Sequence, residues 1–147
     1  VWQHAAEENQ RHELQAKAAA YKGRSGAALD LDGVSTDLVA HWNRDKQRIT
    51  IELRSYFDNN ATYLRLDGTG NSAGKSASST RKDGWFPKAP EIVLPVSDPL
   101  ADVTVRVAAG GKDWKEGSRA PSQTVRLSPT GIAYDADTGQ RLKSDLD

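Results

Sequence analysis

The sequence contains no cysteine, which removes disulfides, thiolate catalysis and cysteine-based zinc sites together. The compartment stays open, because a domain with enough apolar core needs no covalent staples. Methionine is also absent and the chain opens on Val1-Trp2, as expected of a fragment or a processed form. No run approaches the roughly 18 apolar residues of a membrane span, and no signal peptide is visible. Neither sign of charge prevails, since 20 Lys plus Arg balance 20 Asp plus Glu. No net field then draws the chain to nucleic acid or to an anionic membrane surface. The catalytic inventory is thin as well. There is no Gly-x-Ser-x-Gly elbow and no histidine patterned beside a nucleophile, and the carboxylates are scattered. Only a carboxylate pair assembled by folding would serve a hydrolase. The expectation is a protein that is not an enzyme, with no cofactor and no metal site.

What is present reads as a sheet. With 147 residues, 37% hydrophobic and 27% charged, the chain suits one small domain with a solvated face and long loops. The clearest signal runs from Thr36 to Asp67. Ile49, Ile51 and Leu53 alternate with Arg48, Thr50, Glu52 and Arg54, the period of a strand with one buried face. Leu38, Ala40 and Trp42 precede it, and Leu64 and Leu66 come after. Asn43-Arg44-Asp45-Lys46 and Asp58-Asn59-Asn60 are turn-formers, so the stretch is expected to fold as a three-stranded antiparallel meander.

Residues 1–22 predict a helix rich in Ala, Glu, Gln, Lys and Leu, with Glu7–Arg11 and Glu13–Lys17 spaced as i,i+4 ion pairs. Gly23 and Gly26 end it. Its apolar stripe of Leu14, Ala18 and Tyr21 is narrow, so it either lies on the sheet or stands out as a stalk. A tryptophan at the head of such a helix, here Trp2, suits the position just after a membrane span, since indole favours the headgroup layer. Residues 1–26 are therefore set apart as a helical stalk and short linker, and 27–147 as an antiparallel β domain.

Within that domain Ala27 to Val34 forms an edge strand at an Asp-Gly turn. Beyond the meander, Gly68 to Lys82 is a Gly/Ser/Thr-rich loop without periodicity. Further strands are expected at Glu91–Leu94, framed by prolines, at Asp102–Ala108, at Gln123–Leu127 and at Ile132–Asp135. The outcome is mainly β: an N-terminal α-helix, then an antiparallel β-sandwich-like domain of about seven short strands.

Several motifs invite chemistry. Thr69-Gly70-Asn71-Ser72-Ala73-Gly74-Lys75-Ser76 ends like a phosphate-binding loop, but it lacks the first glycine and no helical stripe comes after it. His4, Glu8 and His12 share a helix face, yet the outer two stand about 12 Å apart at 1.5 Å per residue, too far to share one ion. His41 falls on the polar side of its strand. Asp135, Asp137 and Gly139 begin like a calcium loop but lack its later ligands, so a hairpin turn is the first reading. Asn60-Ala61-Thr62 matches the N-glycosylation triplet.

Trp85, Phe86 and Trp114 fall in loops rather than on strand positions. They either cap the open ends of the sandwich or stack on a ligand such as a sugar ring. They are the candidate ligand-binding residues. The functional expectation is a non-catalytic extracytoplasmic domain of a membrane-anchored or surface bacterial protein. Its partner would be a protein or a glycan, and membrane contact would come only through a segment outside this chain. A glycan- or ligand-binding module and a pilin-like assembly subunit are the alternatives.

Overall fold

The computed structural model describes residues 2–20, 23–31, 33–43, 45–55, 61–69, 74–81, 86 and 88–143. It is mainly β, with one helix and then two antiparallel sheets that enclose a single core, a β-sandwich-like domain. Helix α1 spans Trp2–Ala20. Four strands form one sheet: β1 (Arg24–Leu31), β2 (Val34–Asn43), β3 (Arg48–Ser55) and β6 (Glu91–Pro95), in that order. Five form the other, in the order β5 (Gly74–Thr80), β4 (Tyr63–Thr69), β7 (Val103–Gly110), β8 (Ser122–Leu127) and β9 (Ala133–Asp135).

The period-two patterns decide which residues face inward. Leu38 and Ala40 of β2, Ile49, Ile51 and Leu53 of β3, and Ile92 and Leu94 of β6 are buried against Leu64 and Leu66 of β4. Val103, Val105 and Val107 of β7 and Val125 and Leu127 of β8 complete that layer. Each buried Val, Leu or Ile contributes on the order of 1.5–3 kcal/mol by leaving water. The β1–β2 hairpin turns at Gly33, whose φ of 74° suits glycine. The β2–β3 hairpin is held where Asn43 Oδ1 accepts the Lys46 N–H at 3.1 Å.

Three expectations need correction. The stretch Thr36–Asp67 is not one meander: β2 and β3 pair in the four-stranded sheet, whereas β4 belongs to the five-stranded one. Alternation fixes which face of a strand is buried but not which strand lies beside it. The supposed loop Gly68–Lys82 contains β5, paired with β4 along its whole length. Its Gly, Ser, Ala and Thr residues give no contrast between faces, so the strand left no periodic trace. The described residues therefore hold nine strands instead of about seven. Strand β1 also starts at Arg24, inside the expected linker, and the Gly23 carbonyl accepts the Trp42 N–H at 2.7 Å.

Gly68 sets how closely the sheets approach. A Cβ at this position would fall 2.4 Å from Ile92 Cδ1 and 2.8 Å from Leu94 Cδ1. Its missing side chain is thus the space into which β6 packs over β4. At the opposite side of the sandwich the end of the described chain seals both sheets. Leu142 N–H donates to the Ala133 carbonyl of β9 at 2.9 Å, and the Lys143 carbonyl accepts from Ala28 of β1 at 2.8 Å.

Helix α1 is different. Of its side chains those of residues 7–16 are described, and all are exposed except half-buried Leu14. No strand among the described residues packs extensively against α1. Among the described residues no helix is long and apolar enough to cross a membrane, which says nothing about strands.

Candidate binding end of the five-stranded sheet

The two loops that carry the candidate aromatics meet at one end of the five-stranded sheet, where β4 begins. Thr62 joins three segments there. Its N–H donates to the Gly110 carbonyl at 2.9 Å, its hydroxyl donates to the Gly111 carbonyl at 2.7 Å, and its own carbonyl accepts the Arg81 N–H at 2.9 Å. The end of β5, the start of β4 and the end of β7 are thereby tied at one residue.

Trp114 sits on this junction. Its ring stacks on Tyr63 with centroids 4.3 Å apart and planes 4° from parallel. A Cβ at Gly110 would fall 2.4 Å from Trp114 Cγ, so only glycine lets the indole lie over the β7 backbone. The loop closes beneath the ring: Trp114 N–H donates to the Gly111 carbonyl at 3.1 Å, and the indole Nε1–H to the Ser118 carbonyl at 3.1 Å. Gly117, with φ 88°, supplies the turn between them.

Phe86 lies half-buried against the core, with the Arg81 guanidinium 5.3 Å from its ring centroid. That distance is within cation–π range. Since Arg81 is also bonded to Thr62 through its backbone, Phe86 and Trp114 are linked through two neighbouring residues. Trp85 lies outside the described residues. Both described aromatics are half-buried, and each has one ring face engaged within the protein. Tyr63, Thr62 and Arg81 carry no sign of this role in the sequence, although Gly110-Gly111 shortly before a tryptophan is a detectable sign of a ring resting on backbone.

Beyond Tyr63 the outward face of β4 continues with Arg65 and Asp67. Arg65 Nε lies 3.0 and 3.2 Å from the two Asp67 oxygens. The Asp67 carboxylate, and then the Tyr63 hydroxyl, hold the guanidinium even above its ordinary value. Next to Asp67 across the ladder, Arg106 donates to Ser122 Oγ at 3.1 and 3.2 Å. On β8, Arg126 lies 3.2 Å from Asp102 and over the Tyr134 ring. This face presents fixed donors and acceptors side by side, with a stacked aromatic pair at one end.

The remaining motifs have plainer roles. Lys75 and Ser76 lie in extended strand β5, so no helix N-terminus stands behind them to receive a phosphate. Glu8 and His12 are exposed on α1, the His4 side chain lies outside the described ones, and His41 is exposed on the outer face of β2. Asp135 Oδ1 accepts the N–H groups of Asp137 at 2.8 Å and Thr138 at 3.1 Å, while Oδ2 accepts from Gln123 at 2.9 Å. The carboxylate thus holds a hairpin turn. Those bonds, from Thr138 first and then Asp137, lower its pKa below the usual value. Asn60 of the glycosylation triplet lies outside the described residues. Among the described residues no three His, Cys, Asp or Glu side chains come close enough to share a metal ion.

The chain matches no protein-family model, no curated protein and no solved structure. Its functional reading therefore rests on its own residues.

Proposed function

We propose that this chain is a non-catalytic module of a bacterial membrane-anchored or surface protein, held outside the cytoplasm on helix α1. One observation carries the reading. The described side chains of α1, those of residues 7–16, are exposed apart from half-buried Leu14, and among the described residues no strand packs extensively against the helix. A helical stretch with that surface suits a spacer, because residues 7–16 have no broad apolar stripe to bury. The pilin-like alternative needs a helix lying along the sheet, and residues 7–16 offer no such face. The test is an epitope tag after Asp147 in the parent protein expressed in its host. Surface labelling or protease shaving of intact cells, or of spheroplasts, should reach the tag. A tag protected in both preparations overturns the assignment.

A second reading has its own support. The convergence of the Phe86 and Trp114 loops at one end of the five-stranded sheet supports a glycan- or ligand-binding module. Trp114 and Tyr63 supply aromatic surface there, and Arg65 and Asp67 supply planar hydrogen-bonding groups beside it. A glycan array probed with the wild-type chain and with Trp114→Ala tests it. Binding lost on removal of the indole supports the module, and binding indifferent to that change refutes it.

A further inference from the structure

The strands of the five-stranded sheet carry three arginines, and two of them are neutralised within the chain. Arg65 is held by Asp67 and Arg126 by Asp102. Arg106 differs. Asp67 lies directly across the ladder from it, yet that carboxylate turns to Arg65 instead. Among the described residues the polar partner of the Arg106 side chain is a neutral hydroxyl. Ser122 Oγ accepts from its Nε at 3.2 Å and from its Nη2 at 3.1 Å. Those bonds fix the direction of the guanidinium and leave the Nη1 hydrogens and the second Nη2 hydrogen for another acceptor.

The ladder sets this guanidinium beside a shallow floor. Arg65, Ala108 and Ser122 lie level with one another on β4, β7 and β8. Because Arg106 reaches along the outward face to Ser122, its guanidinium comes level with Ala108 as well. Further along β7 is Gly110, over which the Trp114 indole lies, stacked on Tyr63. The Ala108 methyl therefore sits low within a rim made by Arg65, Arg106, Ser122 and the aromatic pair. Arg65, Arg106 and Ser122 are exposed, while Ala108 and Trp114 are half-buried. Positions two residues apart on a strand are separated by about 7 Å, so the indole and the guanidinium stand that far apart across the floor. That is close to the length of one pyranose ring with its exocyclic carboxylate.

We infer that the glycan recognised at this end of the sheet is acidic, and that Arg106 receives the carboxylate of a hexuronic acid residue lying over Ala108. This rests on the glycan-binding reading of the same site and adds the class of sugar to it. A guanidinium meets a carboxylate with two parallel N–H donors, and the charge makes those bonds stronger than bonds to a hydroxyl. A neutral hexose gives the same donors hydroxyls only. The aromatic pair supplies the apolar wall that the C–H surface of the ring requires. Arg65 and Asp67, already bonded to each other, stand beside the floor as partners for ring hydroxyls.

The probes are fluorescently labelled hexamers of glucuronate, galacturonate and mannuronate, each beside its carboxyl-reduced, neutral counterpart. Anisotropy should show the wild-type chain binding at least one uronate hexamer about tenfold or more tightly than its reduced form. Arg106→Gln should erase that preference at unchanged Tm, because the side chain is exposed. Arg106→Lys keeps the charge without the fork and should restore only part of it. Arg54→Gln is the control, an exposed arginine of the other sheet paired with Glu52, and should leave the preference intact. An equal loss there would reduce the effect to a general attraction for polyanions and overturn the inference. An NMR titration reads the footprint without any variant, and decides the matter if Arg106→Gln does not fold. The Ala108 and Ser122 amides and the Arg106 Nε–H should shift with the uronate hexamer and stay in place with the reduced one. Shifts confined to other residues overturn the inference, as does the absence of binding to all three uronates. Tighter binding of an O-sulfated neutral hexamer overturns it too, since sulfate is then the group received. Uronate and reduced hexamers bound equally, and both lost in Trp114→Ala, would leave the glycan-binding reading standing while this inference falls.

Discussion

Trp114 stacks on Tyr63 at 4.3 Å, and the stack stands over Gly110, where a Cβ would fall 2.4 Å from the indole. The glycine and the two rings form one unit. Gly110→Ala should displace the indole from its seat at a cost of about 1–3 kcal/mol, the usual range for overpacking. Trp114→Ala removes the stack as well as the indole bond to Ser118, so the Lys112–Ala120 loop should lose order. Denaturant midpoints and near-ultraviolet circular dichroism test both. A Gly110→Ala protein with wild-type stability and an unchanged aromatic signal refutes this account of the glycine.

Gly68 works by the same logic inside the core. The Cβ of Gly68→Ala would meet Ile92 Cδ1 at 2.4 Å and Leu94 Cδ1 at 2.8 Å. Both contacts are with side-chain methyl groups of buried residues, so either those side chains leave their rotamers or β6 shifts. The expected loss is about 1–3 kcal/mol in urea unfolding. Gly74→Ala is the matched control, because its Cβ meets only the Gly68 carbonyl at an ordinary 3.6 Å. Equal midpoints for the two variants would refute the spacing argument.

The fold was legible wherever side chains of opposite character alternate. Ile49, Ile51 and Leu53 show this, as do Val103, Val105 and Val107, and all six are buried as the pattern requires. It was illegible where the partner's backbone, and not the strand's own side chains, fixes the conformation. Gly74 to Thr80 has only Ala77 to pack against the core, and its ladder with β4 holds it in the sheet. The assignment of β4 to the second sheet was hidden for another reason, since Leu64 and Leu66 would be buried equally well in either layer. At the candidate site, Trp114 and Phe86 were visible as loop aromatics. Tyr63 was not, because a β-strand tyrosine is unremarkable until its distant stacking partner is known. Gly110-Gly111 has the composition of a strand end, yet the first of the two glycines is the seat of the indole.

Strand β5 makes a contrast between neighbouring positions testable. The N–H of Ala77 points into the ladder with Leu66, while that of Ser78 points out. Ala77→Pro should therefore detach β5 and expose the edge of β4, with a large loss of stability. Ser78→Pro should leave Tm close to wild type. Thermal unfolding of the two variants checks the phase of the ladder independently of any ligand, and the reverse ranking would show the phase to be wrong.

Asp135 gives the domain an acid-sensitive hairpin. Its carboxylate accepts the backbone N–H groups of Thr138 and Asp137 and the amide of Gln123, and these bonds favour the charged form. The folded-state pKa is therefore lowered from the ordinary 3.8. A depressed carboxylate pKa contributes stability that is fully present above the unfolded value. That contribution is lost as pH falls below 3.8 and through the folded pKa. Nothing should change at this site between neutral pH and the unfolded value. Carboxyl-detected NMR should place the Asp135 midpoint below the ordinary value of 3.8. Hydrogen exchange at the Asp137 and Thr138 amides should speed up, relative to intrinsic rates, only on the acid side of that window. Asp135→Asn keeps an acceptor oxygen for the turn, so it should retain the hairpin while abolishing its acid response. Asp135→Ala should lose both. An alanine variant with wild-type protection at Thr138 would show that the turn is held by its backbone bonds from Gly139 to Asp135 and from Asp135 to Gln140 alone.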